Sequence, residues 1–248
     1  MSHNEPSGKA LQADRILTGL LGVMIVLHGA SLVGDVILEN TQGLGFADVL
    51  SVIAWLLAAI GLYAMMQPGF RAVSGVVLAI SALLVGACLI IGGDTAAPLS
   101  WQIKLHAILS LVAYSFLGAG SVLATASLMQ DSQLRAARVG RLSTILPPLI
   151  ATEQFLARLT IAGFVFLLLA VTSGFIFVDN MFAQHLTHKS VLSIAGLVIF
   201  GALVVGRQVA GWRGRRMLFF YLAGFGVLLL AYFGSKVILE VVLNRHWG

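Results

Sequence analysis

The chain is short of charge. Lys, Arg, Asp and Glu together make up 10% of its 248 residues, while hydrophobic residues make up 59% and mean hydropathy is +0.98. A soluble domain carries about 25% charged residues, so this chain cannot clothe a water-facing surface and the bilayer is its main solvent. It is equally short of cysteine. Cys88 stands alone, which excludes an intrachain disulfide and a CxxC exchange site and leaves it as a small packing residue in an apolar run. No HExxH occurs and no two histidines stand four apart, so a catalytic zinc site has no support. Span interiors hold no carboxylate to orient a base, which removes a Ser-His-Asp arrangement as well.

What is present are long runs without a charge. A helix must carry about 20 mostly apolar residues to cross roughly 30 Å of hydrocarbon. Seven runs qualify: 16–34, 49–70, 72–93, 105–130, 159–178, 190–206 and 217–235. None alternates apolar and polar residues as a membrane β-strand does, and backbone in lipid must satisfy its own hydrogen bonds. The expectation is all-α: a polytopic bundle of seven transmembrane helices. The uncharged stretch 142–152 is too short to cross and is interrupted by Pro147-Pro148, so it reads as a connection or interfacial segment.

The few charges set the topology. With the N-terminus in the cytoplasm, Lys9, Arg15, Arg71, Arg135, Arg138, Arg141, Arg158, Arg207, Arg213, Arg215 and Arg216 lie inside. Only Lys104, Lys189, Lys236 and Arg245 lie outside. Asp35, Glu39, Asp48, Asp94, Asp179 and Glu240 fall on the outer side, so the C-terminus is expected in the periplasm. The sequence pI near 9.8 is thereby read as topology and lipid contact and not as nucleic-acid binding. Residues 1–15 form a polar cytoplasmic tail without a cleavable-signal pattern, and 16–248 form one membrane domain. The 27 glycines are spread through the spans, where small residues allow helix backbones to approach.

An ionisable side chain within a span is costly and is a functional candidate by default. Three histidines qualify. His28 lies about midway along helix one with Ser31 close by; His106 lies one turn inside helix four with Ser110 a turn further on; His188 begins helix six beside Lys189. Imidazole at such depth suits haem iron ligation, a transition-metal site or a proton relay, or else a hydrogen bond to a hydroxyl or carbonyl across a helix interface. His185 reads as a loop residue, and His3 and His246 lie in polar tails. Gly211-Trp212-Arg213-Gly214-Arg215-Arg216 reads as a cytoplasmic anchor with an interfacial Trp. Glu153 is placed to pair with Arg158 or Arg141.

Four ordered segments carry a family likeness: WQIKLHAILSLVAYSFLGAGSVLA (101–124), LPPLIATEQFLARLTIAGFVFLLLAVTSG (146–174), HKSVLSIAGLVIFGALVVGRQVAGWRGRR (188–216) and LAYFGSKVILEVVL (230–243). With Trp101 to His106, the Pro-Pro to Glu spacing and the GWRGRR ending, the last 150 residues resemble the cytochrome c assembly protein family (CcsA, CcmC and HemX-like members). They look most like its HemX/YpjD inner-membrane branch. The resemblance implies a multi-pass protein of the bacterial inner membrane that binds or handles haem b on the outer side. By that analogy His106 is an axial ligand, with His188 or His28 as its partner on the iron. Partners implied are the lipid bilayer, haem, and cytochrome c maturation proteins or another membrane protein.

The chain departs from the family's synthetases. Residues 179–189 read DNMFAQHLTHK, without the Trp-rich haem-presenting segment, and an apolar position near Val205 stands where CcsA-type members carry a histidine. The likeness therefore implies haem association without a complete synthetase site, and no enzyme activity is assigned. Two readings of other classes stand beside it. One is a secondary transporter for a small solute or haem; the other is a non-catalytic scaffold or regulator docking through GWRGRR and the 135–141 arginines.

Overall fold

The computed structural model describes residues 8–34, 44–92, 99–135, 146–177 and 187–234. Helices α1 (Gly8–Leu32), α2 (Phe46–Met65), α3 (Arg71–Ile91), α4 (Trp101–Arg135), α5 (Leu149–Phe177), α6 (Thr187–Val209) and α7 (Arg215–Leu229) follow one another, and α7 runs into a π-helical turn, Leu230–Gly234. All seven are long and apolar enough to cross a bilayer, α7 together with the start of its π turn, and no strand occurs among the described residues.

The seven spans are where the charge-free runs put them, but several ends differ. α4 continues five residues beyond 130 to Arg135, because Asp131 and Arg135 close an i,i+4 ion pair at 2.9 Å on the extra turn. At 1.5 Å per residue α4 is about 50 Å long, enough to leave the hydrocarbon. α5 begins at Leu149 and not near 159, so residues 149–152 belong to a helix and not to a connection. The reason is local. Proline is tolerated at a helix start, where its missing N–H has no intrahelical partner, and Thr152 Oγ1 donates back to the Pro148 carbonyl at 3.2 Å. α1 reaches back to Gly8, so the second half of the polar tail is helical.

α4 is the central helix. It packs most extensively on α5 and also meets α2, α3 and α7, while α1 rests on α2 at the edge. Close approach depends on missing side chains. A Cβ on Gly163 of α5 would stand 2.6 Å from Leu117 Cγ of α4, and one on Gly120 would stand 2.7 Å from Tyr221 Cζ of α7. Tyr221, fully buried, donates its hydroxyl to the Leu117 carbonyl at 3.1 Å and meets Phe200 edge-on at 5.1 Å, tying α7 to both α4 and α6. Trp101 at the start of α4 meets Phe177 at the end of α5, their rings 5.7 Å apart, so these two ends share one level of the bundle.

The GWRGRR segment reverses the chain between α6 and α7. Gly211 (φ 63°) and Gly214 (φ 78°) take left-handed conformations that side chains disfavour. Trp212 folds back on α6, donating its backbone N–H to the Gly206 carbonyl at 3.0 Å. Arg215 covers the Phe219 ring at 5.4 Å. The hexamer is thus a tight turn between two helices as well as a basic cluster.

Candidate functional site

α4 and α6 begin, and α5 and α7 end, at the same end of the bundle. Between them, joined by Val49 of α2 and the π turn, lies a cavity of about 360 Å³. Its wall is mainly apolar (Leu111, Leu167, Ala170, Val171, Ile194, Ala231), with His106, Ser110, Tyr114, Lys189, Ser190, Ser193 and Tyr232 supplying the polar groups. A π-helical turn widens the backbone and recurs at functional sites; here it carries Tyr232 onto the cavity wall.

His106 is held from one side only. Its Nδ1 lies 2.8 Å from the Ala170 carbonyl oxygen and 3.1 Å from Ser173 Oγ, both on α5. Ser173 donates its own proton to the same carbonyl at 2.8 Å. A carbonyl only accepts, so Nδ1 carries the hydrogen and donates it, and in the neutral ring the lone pair is on Nε2. Nε2 has no hydrogen-bond partner among the described residues. This is the arrangement metal-binding imidazoles adopt, in which a hydrogen bond at one nitrogen fixes the tautomer and aims the other. Ser110, the hydroxyl nearest in sequence, does not serve His106's ring; it donates to the His106 backbone carbonyl at 2.8 Å.

His28 is placed differently. It stands four residues before the end of α1, about one turn, and not midway along the helix. Its Nε2 lies 2.9 Å from Ser51 Oγ on α2. A hydroxyl can donate or accept, so this bond fixes no tautomer. Nearby, Trp55 Nε1 donates to the Ile25 carbonyl at 2.8 Å and its indole lies under Gly29. His28 is not among the residues that line the His106 cavity. It belongs to the contact that seats α1 on α2.

His188 lies in the first turn of α6, as its place at the helix start implies, and its neighbours Lys189 and Ser190 line the cavity. The His188 side chain, His185, His3, His246 and most of 179–189 lie outside the described residues. No group of three or more His, Cys, Asp or Glu side chains that could enclose a metal ion occurs among the described residues. Glu153 forms no ion pair with Arg158, and Arg141 lies outside the described residues; ion pairs that do form among the described residues include Arg71 with Asp14 and Arg135 with Asp131. Cys88 packs half-buried with its thiol 3.4 Å from the Ala47 carbonyl, as expected of a packing residue.

Sequence reasoning missed the second half of this site. Lys189 served only in setting topology, and Tyr114 and Tyr232 went unremarked. The signal for Lys189 was present: Thr187, His188, Lys189, Ser190 and Ser193 put five polar residues within the first two turns of a helix that is then apolar as far as Arg207. Tyr114 donates its hydroxyl to the Leu228 carbonyl at 3.0 Å, and its ring lies 5.9 Å from that of Tyr232. Together with Leu111 they form the wall shared with a second, almost wholly apolar cavity of about 260 Å³ between α2, α3, α4 and α7.

A family model described as "Cytochrome C assembly protein" matches residues 48–243. Inner membrane protein YpjD of Escherichia coli (strain K12) is 33% identical over 138 residues, covering 56% of this chain and 52% of that protein. A 28.8 kDa protein of Azospirillum brasilense is 29% identical over 150 residues, covering 60% and 55% respectively. The chain thus spans about half the length of the curated relatives it matches. No solved structure is significantly similar to it.

Proposed function

Because the chain belongs to the cytochrome C assembly protein family, we propose that it is a multi-pass protein of the bacterial inner membrane that binds haem b between α4, α5 and α6, with His106 Nε2 as an axial ligand. Haem supplies the iron and four of its six ligand positions, leaving the protein to provide one or two. The single observation that carries the reading is the donor state of His106. Its Nδ1–H is committed to the Ala170 carbonyl at 2.8 Å, which in the neutral ring leaves the lone pair on Nε2, and His106 lines the cavity.

The residues present fit the group. The cavity, at about 360 Å³, lies at the lower end of the roughly 300–1,000 Å³ of ordinary ligand sites, and its partly open form leaves room for a ring to project. Its apolar wall suits a porphyrin face, and the imidazole is already in the tautomer that binds iron. His188 remains the candidate for a second ligand by its place at the start of α6, one residue before Lys189. The eleven-to-four bias of Lys and Arg supports placing this end of the bundle at the periplasmic face. In this reading the protein holds or passes haem during cytochrome c assembly and leaves the attachment step to other proteins.

The test is optical. The protein purified in detergent and supplied with haem is expected to show a Soret band and, with dithionite, a sharp α-band, and His106→Ala should lose the α-band. If wild type shows no bands after added haem, or His106→Ala matches wild type, the reading is wrong.

A further inference from the structure

The second cavity, between α2, α3, α4 and α7, plays no part in the haem reading, and its shape and chemistry restrict what can fill it. α2 turns Leu50, Ile53 and Leu57 toward it and α3 turns Val77, Ile80 and Leu84, each set spaced as one face of a helix. On α4 the lining runs from Leu111 to Val122, roughly 16 Å along the axis at 1.5 Å per residue, so the space extends parallel to the spans. It exists because α4 packs on α2, α3 and α7, while α7 scarcely meets α2 or α3. The strip of α4 between them is Ser115, Gly118 and Ser121, small residues of the kind that elsewhere admit a neighbouring helix. No lining residue carries a charge. Three of the four hydroxyls on the wall have already given up their protons to backbone carbonyls: Ser115 to Leu111 at 2.8 Å, Ser121 to Gly118 at 2.7 Å and Tyr114 to Leu228 at 3.0 Å. Such a wall offers a polar ligand almost nothing to bind, and a cavity so apolar does not hold water.

We propose that this cleft is a lipid site, holding one acyl chain of a phospholipid along α4. At this depth the solvent of the bundle is hydrocarbon, and side chains around an unfilled space forfeit their contacts on that side. The occupant is a chain because the space is long in one direction and lacks a polar group to orient a ring. It is an acyl chain because phospholipid chains lie along the spans and reach the cleft sideways, through the gap where α3 and α7 fail to pack. The chain lies behind Leu111, Tyr114 and Tyr232, the residues that the cleft shares with the His106 cavity, and so supports that wall from its far side.

The experiment is photolabelling of the full chain in phosphatidylethanolamine and phosphatidylglycerol vesicles. A small share of the phospholipid carries a diazirine partway along one acyl chain, and the labelled residues are located by peptide mass spectrometry. Wild type should take label on Val77 and Leu57, which are 3% and 7% exposed and face the cleft, as well as on the lipid-facing Leu83. Label confined to lipid-facing positions such as Leu83 and Leu89 overturns the proposal, and this comparison needs no variant to fold. Ile80→Trp fills the cleft and should abolish label on Val122 and Phe225 across it, whereas Leu83→Trp, on the exposed side of the same helix, should leave that label in place. Equal loss in both variants, or loss in neither, defeats the site. A polyprenol bearing the same diazirine is the rival hydrocarbon. If it labels the cleft wall in preference to the phospholipid, the occupant is an isoprenoid chain and the proposal is wrong.

Discussion

Replacing Gly120 by alanine should be among the most damaging one-carbon changes available. The added Cβ would fall on the hydroxyl of Tyr221, 2.7 Å from its Cζ and 3.4 Å from Leu156 Cδ1. Tyr221 cannot step aside freely. It is fully buried, its ring meets Phe200 at 5.1 Å and its hydroxyl donates to the Leu117 carbonyl at 3.1 Å. Overpacking of a well-filled core costs about 1–3 kcal/mol, and a buried hydroxyl torn from its acceptor costs about 1–3 kcal/mol more. The expected loss is then roughly 2–6 kcal/mol. Unfolding of the purified protein in mixed micelles, followed by tryptophan fluorescence, measures it. Tyr221→Phe removes the atom nearest the new methyl group, so the double variant should recover at least about 1 kcal/mol relative to the sum of the single changes. If Gly120→Ala lies within about 0.5 kcal/mol of wild type, or the two changes add, then α4 and α7 do not meet as described.

Two further outcomes follow from the histidines. Ser173→Ala takes one of two acceptors from His106 Nδ1 and leaves the Ala170 carbonyl. Haem affinity should fall about tenfold, the low end for removing a residue that orients a metal ligand, with the low-spin spectrum retained; a titration showing no change would mean that Ser173 does not orient the ring. His28→Ala removes a bond to Ser51 away from the cavity. It should lower stability by about 1 kcal/mol and leave the haem spectrum untouched, and an altered spectrum would return His28 to the iron.

The seven crossings were legible because charge is the one thing a helix in lipid cannot carry cheaply, so its absence marks the span. The same criterion misplaced the ends. A charge-free run stops at the first charged residue, whereas a helix stops only where its backbone bonds stop. α4 runs past Asp131 because Arg135 pairs with it, and α5 holds Glu153 and Arg158 inside its first three turns. Proline told against a helix at 142–152, yet Pro147 and Pro148 act as the start of one. The family resemblance rested partly on GWRGRR, whose cause is conformational. Its two glycines supply positive φ and its Trp covers Gly206, which no reading of charge reveals.

The candidate site shows where such legibility ends. His28 and His106 look alike in sequence: each is a lone imidazole in an apolar run with a serine within four residues. Neither nearby serine bonds the ring. The partners that distinguish them lie 23 residues away for His28 and 64 and 67 residues away for His106. The decisive difference is the chemistry of those partners. A serine hydroxyl accommodates either tautomer of His28, whereas a backbone carbonyl permits only one tautomer of His106. That carbonyl belongs to Ala170, whose side chain has no polar atom to announce it. Any residue at 170 would present the same oxygen if the helix kept its place. Control of His106 therefore resides in how closely α5 packs on α4. The packing in turn depends on Gly163, where a Cβ would press on Leu117. The chemistry at His106 is thus set two helical turns away by the absence of a side chain.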